Sequence, residues 1–200
     1  MTTYTPKHHK SSDLIQLFSE CFASSHNTTL VGNAEEPLYT PALKDNAAQI
    51  HFRADYFSSA LHEIAHWCIA GEERRAQVDY GYWYIADGRD KAQQTAFFDV
   101  EVKPQALEWL FSEACNYPFT VSVDNVVAGE QQADWSYWEE LANATDLFQA
   151  RCLEQIHLWF ETELPKRGYE FMAKLASYYR DGHMPTFEDI SAVECKRKHV

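Results

Sequence analysis

The sequence predicts an α+β fold: one helix-rich domain over residues 1–200, with a small β-sheet beside a helix that carries a metal site. Three observations lead there. The segment His62-Glu63-Ile64-Ala65-His66 lies inside an apolar stripe of helical period, short strand-like runs precede it, and long helical patterns follow it. With 200 residues, 46% of them apolar, the chain can bury about 70% of its unfolded surface, enough for one compact core. No internal repeat and no Gly/Ser/Pro-rich linker divides it.

The elements follow in order. A first helix is expected near Asp13 to Phe22. Short strands are expected at Thr29–Val31, Leu38–Thr40 and Gln49–Phe52, punctuated by Gly32, Pro37 and Pro41. In the next helix Tyr56, Phe57, Ala60, Leu61, Ile64, Ala65, Cys68 and Ile69 recur at three-and-four spacing. Asp55 would be its N-cap and Gly71 its C′ residue. Val78–Ile85 alternates Tyr and Trp and reads as a strand closed at Asp87-Gly88, and Thr95–Val102 reads as another. Pro104, at an N1 position, opens a helix to about Cys115. Phe119–Val123 reads as a short strand turning at Asp124-Asn125. A helical pattern then runs from Glu130 to about Glu163, with a break expected near Asn143. Pro165 stops it, and a last helix covers Tyr169–Tyr179. The basic end, Lys196 to His199, reads as a solvated tail.

Charge and composition exclude several classes. A net charge of −13 disfavours nucleic acid and anionic membranes, whose phosphates need a basic face, and suits a cationic substrate group. Acidity of this size also serves solubility alone. Cys21, Cys68, Cys115, Cys152 and Cys195 are odd in number, scattered and without a C-x-x-C pair, as expected of reduced thiols. Met1 to Lys10 lacks the apolar core of a signal peptide, and no run approaches the length of a membrane span. A cytoplasmic location is expected.

The chemistry centres on His62 and His66. Histidines four apart on a helix share a face, one turn above the other, so both imidazoles can reach one ion. The longer zinc-protease pattern would need Gly at 69 and His at 72, where this chain has Ile69 and Glu72. A carboxylate is therefore the expected third ligand. Glu101, between a predicted strand and the helix at Pro104, is the first candidate, with Glu108 and Glu72 as alternatives. Two histidines and a carboxylate permit two chemistries. With zinc, the open position holds an activated water and Glu63 is the general base of a hydrolase. With Fe(II), open positions remain for O2. The other iron-oxygenase signature, H-x-[D/E] with a distant His, is absent, so nothing supports a 2-oxoglutarate requirement.

Tyr80, Tyr82, Trp83 and Tyr84, with Asp79 and Asp87, could wall an aromatic, acidic pocket for an amine, although strand alternation would turn about half of such a run into core. Arg74 and Arg75 read as helix-end charges, and His51 and His157 as ordinary core or surface histidines. No phosphate-binding Gly-rich loop and no serine nucleophile elbow occurs.

The runs HEIAHWCIAGEERR (62–75), DYGYWY (79–84), DGR (87–89) and EVKPQALEW (101–109), with the FSEAC stretch and Ser122-Val123-Asp124-Asn125, closely resemble the bacterial elongation factor P hydroxylase family. The resemblance spans essentially the whole chain. It implies a cytoplasmic, oxygen-dependent enzyme that hydroxylates a lysine of elongation factor P already extended with a β-lysyl group. It further implies a non-haem iron centre on His62, His66 and Glu101, with Glu63 as a neighbouring or acid–base group. A zinc-dependent hydrolase or peptidase using Glu63 as base is the second reading. A metal-stabilised adaptor without catalysis is the third.

Overall fold

The computed structural model describes residues 7–78, 91–123 and 135–191, with side chains described for 92–123 and 142–191 in the latter two stretches. Helix α1 (Ser11–His26) ends on Asn27, whose left-handed backbone suits an Asn cap. Three strands follow: β1 (Thr28–Ala34), β2 (Leu38–Thr40) and β3 (Ala48–Arg53). The central β3 pairs in parallel with β1 and antiparallel with β2. Ala48, Ile50 and Phe52 alternate inward, and Leu30 and Tyr39 sit opposite Ile50 in its two neighbours. Gly32 makes room for Phe52: a Cβ there would lie 2.8 Å from the phenyl ring.

The chain turns from β3 into α2 (Phe57–Ile69), which carries both histidines. A short α3 (Glu72–Arg75) follows, then α4 (Lys91–Ala114), α5 (Trp135–Glu161), α6 (Lys166–Tyr179) and a last turn of helix at 187–191. α4 packs on α2, α5 and α6, and from Glu101 to Cys115 almost every side chain except Lys103 is buried or half-buried. One contiguous core joins α1, the sheet, α2 and α4 to α6. The result is an α+β, helix-rich fold with a small sheet next to α2. No helix among the described residues is long and apolar enough to cross a membrane.

Several expectations are corrected. Thr95–Val102 is not a strand but part of α4, and Pro104 lies inside that helix rather than opening it. Aromatic and β-branched residues made the run look extended. The helical period was hidden because some of the inward positions, Glu101, Gln105 and Glu108, are polar. Among the described residues, Phe119–Val123 pairs with no strand. Its backbone is held by glutamines of α4: Gln105 donates to Ser122 O and accepts from Ser122 N–H, both at 2.8 Å, and Gln94 donates to Val123 O at 2.9 Å. α5 continues unbroken through Asn143. α2 begins after Tyr56, without a side-chain cap from Asp55. Tyr56 is exposed, and Trp67, absent from the expected stripe, is fully buried. Gly71 does follow the end of α2, but with ordinary negative φ. The expected strand Val78–Ile85 lies, apart from its first residue, outside the described residues, as do the turns at Asp87-Gly88 and Asp124-Asn125 and the basic tail.

The C-terminal end of α2 is clamped. Arg167 donates to the carbonyls of Trp67, Cys68 and Ala70 at 3.0, 3.1 and 2.6 Å, and its guanidinium lies over the Trp67 ring. Arg75 also donates to Ala70 O. Cations at this end satisfy orphan carbonyls and oppose the negative end of the helix dipole. Arg167→Met keeps the aliphatic stem but removes these bonds. It is expected to cost about 1–3 kcal/mol in a urea melt, with a matching fall in melting temperature.

Candidate metal centre

The site is built from two helices facing one another. On α2, His62 and His66 stand one turn apart, on the flank of the face that buries Leu61, Ile64, Ala65 and Cys68. On α4, Glu101, Gln105 and Glu108 stand at i, i+4 and i+7, also on one face. Packing α2 against α4 brings the two faces together.

One Nε2···Nε2 distance organises the cluster: the inner nitrogens of His62 and His66 are 3.0 Å apart. Glu101 approaches both, with Oε1 3.3 Å from His66 Nε2 and Oε2 3.6 Å from His62 Nε2. The other nitrogen of His62, Nδ1, donates to Glu108 Oε2 at 2.8 Å. Because a carboxylate only accepts, this bond fixes the proton on Nδ1 and turns Nε2 toward His66. Among the described residues, His62, His66 and Glu101 form the group whose donor atoms lie close enough to share an ion, all within 4.8 Å.

These residues fit a metal ion. Two donors each about 2.0–2.2 Å from one ion stand roughly 3.0–3.6 Å apart when they subtend roughly 90–120°. The observed spacings lie in that range. Two imidazoles and a carboxylate suit Zn(II) or Fe(II) alike. Glu108 supplies the carboxylate–histidine contact that commonly orients a ligating imidazole.

Charge explains the rest. Burial disfavours a proton on His62, but Glu108, Glu101 and Glu63 outweigh it and raise the group to about 10. Burial likewise opposes ionisation of Glu101, yet His66, His62 and Gln105 hold it down at about 2. Glu63 shifts upward, chiefly by burial, partly offset by the two histidines. Without a metal, the cluster therefore holds a proton between its imidazoles and carboxylates.

Glu101, the first sequence candidate, stands inside the cluster. Glu108 reaches the outer nitrogen of His62 rather than the shared centre, and Glu72 is exposed at the start of α3 and outside the cluster. Asp79, Tyr80, Tyr82, Trp83, Tyr84 and Asp87 lie outside the described residues. Arg75 is the helix-end charge expected of it. Gln105 was overlooked, although its spacing from Glu101 and Glu108 would have marked it once the run was read as helix.

The metal-free protein has a pH dependence of definite sign. His62 rises from its ordinary 6.5, so its stabilisation is complete below about pH 6.5 and fades as pH climbs toward 10. Glu101 falls from 4.5, so its contribution is complete above about pH 4.5 and fades as pH drops toward 2. Chelator-treated protein should show its highest urea midpoint at mildly acidic pH. The decline on the alkaline side should be shallower in Glu108→Gln.

Comparison with known proteins bears on which chemistry this donor set serves. The family model for elongation factor P hydroxylase matches residues 17–188. A curated protein of Haemophilus influenzae, elongation factor P lysine hydroxylase, is 40% identical over 174 residues, covering 86% of this chain and 90% of that protein. A match of that extent includes α2, α4 and every residue of the cluster, and the chain belongs to the elongation factor P hydroxylase family.

Proposed function

We propose that this protein hydroxylates the β-lysyl-modified lysine of elongation factor P, the final step of that modification, using Fe(II) held by His62, His66 and Glu101. The observation that carries the reading is the convergence of the three donors beside the Glu108–His62 contact, in a chain of this family. The bound ion would supply the activation of O2. The overall change inserts one oxygen into a C–H bond and reduces the other to water, with two electrons and two protons from an external reductant.

The chain's own residues do the positioning. His62 and His66 would offer Nε2 from one helix and Glu101 a carboxylate from another, and a set of three protein donors would leave coordination positions for O2. Glu108 holds the His62 ring in its tautomer. Glu63 feels the charge of both histidines and its carboxyl is shifted upward by burial, which suits it to hold a proton. The substrate side chain carries extra ammonium groups, and the protein's net charge of −13 favours its approach. Asp79, Tyr82, Tyr84 and Asp87 are proposed to hold an ammonium by charge and cation–π contact. Elongation factor P docks transiently as a folded protein in the cytoplasm, and neither nucleic acid nor membrane takes part.

The test is intact-mass analysis of β-lysylated elongation factor P incubated aerobically with the protein, Fe(II) and ascorbate. The factor should gain one oxygen atom. His62→Ala and Glu101→Ala should abolish the gain, Glu108→Gln should slow it by roughly 10–100-fold, and Glu63→Gln should leave measurable turnover. An unchanged mass with anaerobically iron-loaded wild-type protein would overturn the hydroxylase reading and favour a zinc hydrolase. In a zinc hydrolase Glu63→Gln would be the most damaging of the four.

A further inference from the structure

Gln105 is 1% exposed, and a buried amide must spend its donors and acceptor on protein partners. It does so in two directions. Toward the chain, its Oε1 accepts from Ser122 N–H and its Nε2 donates to Ser122 O, each at 2.8 Å, so the side chain pairs with Ser122 as a strand neighbour would. Toward the metal centre, Nε2 also donates to Glu101 Oε2 at 3.4 Å. That bond engages Oε2, which stands 3.6 Å from His62 Nε2, and leaves Oε1, the oxygen 3.3 Å from His66 Nε2, as the one that carries no bond from the amide.

We propose that Gln105 is a positioning residue that joins the Glu101 carboxylate to the backbone of Ser122, holding Glu101 to one ligating oxygen. The inference rests on the metal centre proposed above and goes beyond it in two respects. A carboxylate tethered through one oxygen binds an ion through the other, which leaves an additional coordination position open. The tether also ties the carboxylate to the segment Phe119–Val123, which Gln94 fastens to α4 through Val123 O. Displacement of that segment would therefore pull on a metal ligand through two hydrogen bonds and one side chain. Ser122 takes part only through its backbone.

The test uses full-length, chelator-treated protein titrated with Co(II) alone, whose visible absorption reports coordination number and geometry. Gln105→Met keeps the shape and removes the amide. It should weaken Co(II) binding by roughly 10–100-fold and alter the visible spectrum toward higher coordination. Ser122→Ala, which leaves both backbone partners in place, should bind Co(II) as wild type does. In the wild-type protein itself, amide exchange at Ser122 should slow several-fold when Co(II) is added, a result that needs no variant to fold. Unchanged affinity and spectrum in Gln105→Met, or no slowing at Ser122 in a wild type that binds Co(II), would overturn the positioning role. Failure of the metal centre itself is a separate result: wild type would not bind Co(II), or would bind it undiminished after His62→Ala and Glu101→Ala.

Discussion

The structure turns on a carboxylate sealed inside protein. Glu101 is 2% exposed, and an ionised carboxylate that deep costs several kcal/mol unless its charge is met. Two imidazoles and one amide meet it here. Glu63 and Glu108 act through their charge on His62 as Glu101 does, so three carboxylates bear on one pair of imidazoles. A proton on His62 relieves part of that excess. A divalent cation relieves more, without requiring any group to take an unfavourable protonation state. Ion binding and proton release are thus two sides of one equilibrium, and affinity rises with pH until the His62 proton is gone. The same excess of negative charge gives a cationic side chain reason to approach.

Such a cluster is useful only if the two helices that build it keep their register. α2 is held at both ends. It leaves β3 through a short turn in which Ser59 Oγ accepts from Arg53 N–H, and its last carbonyls are gathered by Arg167 and Arg75. Arg167 belongs to α6, which also fixes α4: Gly168 sits where a Cβ would come 3.0 Å from Leu107, so the helices approach closely just one residue before Glu108. α6 therefore grips one helix of the site by its end and the other by its middle. Aromatic contacts of Trp67 with Phe18 and Phe22 add α1 to the same brace. Ligands carried on helices fastened in this way hold their separation better than ligands on loops would.

Much of this was readable before any coordinates, and the failures share a cause. The apolar stripe of α2, the strand at Gln49–Phe52 and the stop at Pro165 follow from local sequence signals, and they appear where expected. Glu101 stands within α4 rather than at the end of a strand, and the strand-like look of that run has a physical cause. The real reason is that Glu101, Gln105 and Glu108 line one face of α4, buried polar residues that broke the apolar period and disguised the helix. Functional sites place polar groups inward, so they erase the very pattern that reveals secondary structure. Phe119–Val123 failed for a related reason. The run has the composition of a strand, but its partners are glutamine side chains of α4, and no rule of strand pairing foresees that.

The ligand set leaves zinc hydrolysis and iron hydroxylation equally open, and the two chemistries make different demands on Glu63. A hydrolase needs that carboxylate ionised beside a bound water, able to take its proton at neutral pH. In this cluster burial and the neighbouring carboxylates raise Glu63, and the histidines offset only part of the shift. A dication would lower it again, but Glu101 and Glu108 remain beside it as competing charges. Hydroxylation makes a weaker demand. It needs a site that admits O2 and a C–H bond, holds ammonium groups nearby and passes protons to the oxygen that becomes water. A carboxyl raised by burial suits either demand, as a general base at neutral pH in the one and as a proton donor in the other. Glu63 thus fits both chemistries, and it is membership of the elongation factor P hydroxylase family that weighs toward the second.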